Sequence, residues 1–204
     1  MAKKGFLALI IIALILLTIG GYFLFIGDSV NVYIDGENVT TSSTISPLSG
    51  VDVNKMNNEI SEYVFNTMQS PNGTITSLKQ GIHRICLSYG LDNVKIKIDS
   101  SLGENKIPVI FHIEGNSMYP TLRDGQEVTV EKTKNIQVNN IVVARSPEYG
   151  NIVKRVSQIK GDKVLLTSDN TNVEYKVING TTYKIEGIRT WVSIDDIIGV
   201  VVQY

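Results

Sequence analysis

The sequence predicts a mostly β domain held behind an N-terminal transmembrane helix and a small α+β segment. Three observations predict it: an uncharged apolar stretch from Gly5 to Ile26, two apolar stripes at helical spacing between residues 53 and 89, and a succession of short β-rich runs from Val109 to the C-terminus.

The first stretch reads GFLALIIIALILLTIGGYFLFI. Its length, about 22 residues at 1.5 Å rise, spans a hydrocarbon core of roughly 30 Å. A cleaved signal peptide would carry a shorter apolar run followed by an A-x-A-like site, whereas no alanine follows Ala13 until Ala144. Lys3 and Lys4 precede the stretch and Asp28 follows it. The positive-inside bias therefore places residues 1–4 in the cytoplasm, 5–26 across the lipid bilayer and the rest outside, as a single-pass cell-membrane protein. Glycosylation sequons at Asn38, Asn72 and Asn179 suit that side.

Residues 27–105 form the α+β segment. Val30-Asn31-Val32-Tyr33-Ile34 alternates as a strand and ends at the turn signal Asp35-Gly36, before a Ser/Thr-rich linker. Val53, Met56, Ile60, Tyr63, Val64 and Met68 recur at steps of three and four behind Asp52, which predicts an amphipathic helix. Pro71-Asn72-Gly73 breaks it. A second stripe, Leu78, Ile82, Ile85, Cys86 and Tyr89, stops near Gly90, and Val94–Ile98 alternates as a half-buried strand.

From residue 106 onward the runs VIFHI, EVTVE, NIVVARS, NIVKRVSQI, KVLLT, EYKVI, TYKIEGI and IIGVVVQY are separated by Gly, Asn and Asp. Many short strands at close spacing predict an antiparallel barrel or sandwich over 106–204.

Charge is nearly balanced, with 19 Lys plus Arg against 20 Asp plus Glu, so no basic face for nucleic acid stands out. The single cysteine, Cys86, cannot form an internal disulfide, and only two histidines, His83 and His112, stand far apart, which predicts no metal site and no cofactor. Cys86 lies in an apolar stripe and reads as a buried hydrophobe rather than a nucleophile.

Into the β-rich part falls Gly115-Asn116-Ser117-Met118-Tyr119-Pro120-Thr121-Leu122, followed by Lys154 in Val153-Lys154-Arg155-Val156. A serine hydroxyl is a poor nucleophile until a base takes its proton, and neither histidine lies in a motif suited to that. A lysine serves when apolar burial lowers its pKa by several units. Strand alternation gives Lys154 the neighbours Ile152 and Val156 on its own face, with Val153 and Arg155 on the other. Arg155 cannot be the base, because guanidinium does not deprotonate. Taken singly, Ser117 reads as a turn serine and Lys154 as a strand lysine at the surface.

The S-M-x-P-T run followed by a K-R-V strand resembles bacterial-type signal peptidase I, a family of membrane-bound Ser-Lys proteases that remove signal peptides from exported preproteins. Asn140-Ile141-Val142-Val143 is similar to the family's G-D-I-V-V strand, Lys160-Gly161-Asp162-Lys163-Val164 to its G-D-x-V turn, Ser168-Asp169-Asn170 to its G-D-N segment and Ile198-Gly199-Val200-Val201 to its closing strand. The resemblance covers roughly residues 109–202. It implies a signal peptidase/LexA-like β-barrel-type protease domain, with Ser117 as nucleophile, Lys154 as general base, the Ser117 backbone N–H in the oxyanion hole and no cofactor. Exported preproteins with small residues at −1 and −3 are the implied substrates, lying as an extended strand over shallow pockets that Met118 and Ile113 are expected to line.

Three departures qualify that. Gly115 stands where some members place a hydroxyl that donates to the oxyanion. The S-x-D-S-R run is replaced by Thr171-Asn172-Val173-Glu174, which leaves Asp169 as the expected residue to orient the lysine's ammonium or hold the site together. Shorter archaeal and endoplasmic-reticulum-type relatives carry histidine where this chain has Lys154. His112 is a remote alternative base. Two other readings stand beside the signal peptidase one. Self-cleaving repressors share a Ser-Lys dyad, but cut at Ala-Gly or Cys-Gly, neither of which occurs here, and no helix-turn-helix pattern is evident. A catalytically dead, membrane-anchored binding module is the third.

Overall fold

The computed structural model describes residues 11, 12, 14, 15 and 27–204. Ile11, Ile12, Leu14 and Ile15 are helical, and the rest of the expected membrane-spanning segment 5–26 lies outside the described residues. Among the described residues no helix is long and apolar enough to cross a membrane.

The α+β segment begins with β1 (Ser29–Ile34) and β2 (Val39–Thr44), an antiparallel pair, and closes with β3 (Lys95–Ser100) lying parallel to β1, in the order β2-β1-β3. Two helices, α1 (Val53–Gln69) and α2 (Ile75–Ser88), make the crossover that a parallel pairing requires. Asp52 caps α1 by accepting from the Lys55 amide at 3.0 Å, and Thr74 caps α2 in a reciprocal box with Ser77. Both predicted stripes face inward. Met56, Ile60, Val64 and Met68 of α1 and Leu78, Ile82 and Cys86 of α2 meet Val30, Val32, Ile34 and Ile98 of the sheet in one buried cluster. The helices touch closely at Gly81, where a Cβ would stand 1.9 Å from the ring of Tyr63.

The second cluster of strands is a seven-stranded antiparallel sheet in the order β11-β8-β7-β6-β12-β5-β4. Its strands are β4 (Pro108–His112), β5 (Glu127–Glu131), β6 (Ile141–Ser146), β7 (Gly150–Lys160), β8 (Lys163–Thr167), β11 (Arg189–Ser193) and β12 (Ile197–Gln203). A hairpin of β9 (Glu174–Ile178) and β10 (Thr181–Ile185) forms a separate two-stranded sheet. Two apolar clusters lie against the large sheet. One gathers Ile113, Met118, Leu122, Val128, Val130 and Val143, and the other Val142, Ala144, Ile152, Val156, Leu166 and Ile197.

Two strands were not legible in the sequence. β2, VTTSST, has no apolar alternation, yet follows the Asp35-Gly36 turn, where Asp35 accepts from the Asn38 amide at 2.6 Å. β11, RTWVS, buries only Val192 and sits at the sheet edge, so half its pattern faces water. The α+β cluster also takes in Ile107 and Val109, so β4 contributes to both cores.

Candidate active site

Ser117 lies in the turn between β4 and β5. Gly115 enters that turn at φ 80°, a conformation that costs little only for glycine, and its amide donates to Asp124 Oδ1 at 2.7 Å. Met118 and Leu122, 1% and 0% exposed, plug into the core and are joined by a Leu122 N–H to Met118 carbonyl bond of 2.9 Å. The half-buried Ser117 is thus carried on a segment pinned one residue further on.

Lys154 comes from the middle of β7, flanked on its face by buried Ile152 and Val156. It is 3% exposed, and its Nζ lies 2.7 Å from Ser117 Oγ and 2.9 Å from the carbonyl oxygen of Val153. Burial holds the ammonium down to about 8, the charge of Asp169 pulling the other way. Two residues 37 apart in sequence are therefore in hydrogen-bond contact, the lysine almost wholly buried and the serine half-buried.

Asp169, expected to orient the ammonium or to hold the site together, is hydrogen-bonded to Arg155 and Thr121. Its carboxylate accepts from Arg155 Nε at 2.7 Å and Arg155 Nη2 at 2.6 Å, and Thr121 Oγ1 donates to it at 2.6 Å. Those donors hold the Asp169 carboxyl below its usual range, and it acts on Lys154 through its charge rather than a hydrogen bond. The next residue closes the arrangement: Asn170 donates its backbone N–H to the Ser117 carbonyl and its side-chain amide to the Asn116 carbonyl, each at 3.0 Å. Arg155, Thr121 and Asn170 are thus site residues that sequence reasoning passed over. All three lie inside the quoted motifs, but their spacing gave no hint that they converge.

The dyad opens into a cleft of about 490 Å³ whose walls include Ile113, Met118, Val143, Val153 and Ile188. Met118 and Ile113, the two residues expected to line substrate pockets, are both there. His112 also borders it, but its Nε2 lies 2.8 Å from Glu127 Oε1 on the exposed end of β4, and the bond to Ser117 Oγ comes from Lys154. Cys86 is fully buried in the other core, its thiol pushed up by burial.

The sequence model of the Peptidase S24-like family matches residues 78–190. Signal peptidase IB of Staphylococcus aureus strain Mu50 is 39% identical over 70 residues, which is 32% of this chain and 37% of that protein. The same protein of strain COL matches equally. The chain thus aligns with well under half the length of these relatives, and their kinship supports the resemblance to signal peptidase I. Matched over more than half its length by a stretch that contains both Ser117 and Lys154, the chain belongs to the Peptidase S24-like family.

Proposed function

We propose that this chain is a membrane-anchored serine endopeptidase that removes N-terminal signal peptides from exported preproteins, with Ser117 as nucleophile and Lys154 as general base. The observation that carries the reading is the 2.7 Å contact between Lys154 Nζ and Ser117 Oγ at a buried lysine whose ammonium is disfavoured. In the neutral form Lys154 takes the Ser117 proton as Oγ attacks the scissile carbonyl. The resulting ammonium then gives that proton to the leaving amine, which departs with the mature protein's new N-terminus. A water, deprotonated by the same amine, releases the signal peptide from the acyl-Ser117 ester. The Ser117 backbone N–H, with no acceptor within the protein among the described residues, is aligned by the Asn170 bonds to the Asn116 and Ser117 carbonyls and serves the oxyanion. Met118 and Ile113 line the pockets for small side chains, while Asp169, through Arg155 and Thr121, holds the Ser117 loop against β7. Read as a membrane anchor with its N-terminus inside, the apolar segment 5–26 puts the residues that follow on the outer side of the lipid bilayer, where such substrates emerge.

The test is cleavage of a preprotein with small residues at −1 and −3 by detergent-solubilised full chain. Ser117→Ala and Lys154→Ala each leave the precursor intact. Cleavage that survives Lys154→Ala would remove the lysine from the base's role. The family match also bears on self-cleavage. The same incubation, followed for loss of the full-length chain, separates the readings: a chain that cuts itself and ignores the precursor is a self-processing peptidase. A chain that does neither is a binding module.

A further inference from the structure

Beside the Ser117–Lys154 cleft lies a second cavity of about 150 Å³, and the two share Phe111 and Asn151 in their walls. The second cavity sits where the end of α1 meets the large sheet, with Met68 on one side and Lys132, Arg145 and Ile198 on the other. Arg145 pairs with Asn151 across the β6–β7 ladder, and Val143, two residues earlier on β6, pairs with Val153. By strand alternation these four residues share one face of the sheet. Val143, Val153 and Asn151 border the cleft, so Arg145 extends its floor by one step.

The cations here differ in what they do. Lys132 Nζ donates to the carbonyls of Met68, at 2.9 Å, and Ser70, satisfying the end of α1. Lys134 Nζ donates to the carbonyls of Asp195, at 2.6 Å, and Ile197. Arg145 is exposed and has no hydrogen bond or ion pair among the described residues, although Asp195 and Asp196 border a small adjoining cavity with it. Its planar five-donor fork, matched to a carboxylate, is left open in the cavity that adjoins the cleft.

We propose that Arg145 is a specificity-determining residue of this groove, binding the carboxylate of an Asp or Glu side chain of the substrate some residues away from the scissile bond, with Lys132 adding to the positive field. This rests on the peptidase reading above. An acidic lipid headgroup would offer the same charge. Continuity with the cleft favours the polypeptide.

The experiment uses the full chain in detergent and a series of substrate peptides in which each position from four before to four after the cleavage site carries Glu or Gln. At one position the Glu peptide is cut with a kcat/KM about three- to tenfold above its Gln twin, as an ion pair at a partly open site gives. The ratio falls to one in Arg145→Gln, persists in part in Arg145→Lys and declines with added salt. Absence of a Glu preference at every position, or its survival in Arg145→Gln, overturns the proposal. So does loss of binding to phosphatidylglycerol vesicles in Arg145→Gln without any peptide preference, which would assign the site to lipid. Peptide binding to Ser117→Ala and to the Ser117→Ala, Arg145→Gln double variant, read by fluorescence anisotropy, decides the subsite even where nothing is cut. Failure of cleavage alone counts against the peptidase reading.

Discussion

The α+β segment and the large sheet each gather buried apolar side chains into cores, but they treat charge in opposite ways. Around α1 and α2 every charged side chain stays outside the buried core, and the buried Ser100 hydroxyl is satisfied by the Gly103 carbonyl at 2.9 Å. In the large sheet a lysine is 3% exposed, the one charged side chain in that class among the described residues. A core built only for stability has no reason to hold an ammonium that apolar neighbours disfavour. The contrast teaches where chemistry is stored: the first region is satisfied, and the second keeps a group in a state that folding alone would reject.

Replacing the amine makes the largest difference between the two. Lys154 is held down to about 8 from 10.5, so between those values the unfolded chain binds a proton that the folded chain does not, and stability rises with pH. Below pH 8 the full penalty applies, roughly 3 kcal/mol at most by linkage. Lys154→Met abolishes cleavage and, in urea unfolding at pH 7, raises stability by about 1–3 kcal/mol. That gain shrinks as pH climbs from 8 toward 10.5. A variant that is less stable at pH 7 would show that the bonds to Ser117 and Val153 outweigh the burial of charge.

Catalysis should report the same pKa. kcat/KM for a precursor peptide climbs about tenfold per pH unit below 8 and levels above it, because only neutral Lys154 accepts the Ser117 proton. Asp169→Asn sharpens this. It removes the negative charge that raises the Lys154 pKa and breaks the pairing with Arg155 and Thr121. The midpoint of the profile therefore moves to lower pH while kcat falls about tenfold through a loosened Ser117 loop. A midpoint that moves up, or stays in place, breaks the electrostatic link between the two residues.

The same contrast governs what the sequence could tell. The helices of the first region were legible because Met56, Ile60, Val64 and Met68 repeat with the period of the structure that buries them. Ser117 and Lys154 were legible only as members of motifs, since a turn serine and a strand lysine carry no local mark of contact. Asp169 was expected to orient the ammonium or hold the site together because it was the carboxylate left in the motif. The Arg155 guanidinium competes better for it, through a two-pronged hydrogen bond that an ammonium cannot make. β2 escaped because hydroxyl side chains hide the alternation, and β11 because an edge strand buries little. Arg145 could not be singled out at all, for what marks it is the engagement of Lys132 and Lys134 by backbone carbonyls far away in sequence.

The smallest expected effect tests whether the first region is as inert as its core suggests. Cys86 is fully buried among Leu78, Ile82 and the sheet residues, and its thiol is pushed up by burial, so it is neither a nucleophile nor a titrating group near neutral pH. Cys86→Ala deletes one buried sulfur and leaves a small void, costing about 1 kcal/mol in urea unfolding. The pH profile of cleavage keeps its midpoint, because Lys154 lies outside this core and no charge changes. The cores do meet at β4, whose Val109 packs with the helices while Ile113, just beyond the strand, lines the cleft. A shift in kcat/KM larger than about twofold in Cys86→Ala would mean that packing behind β4 sets the position of the cleft wall, and that the first region helps to shape the site it adjoins.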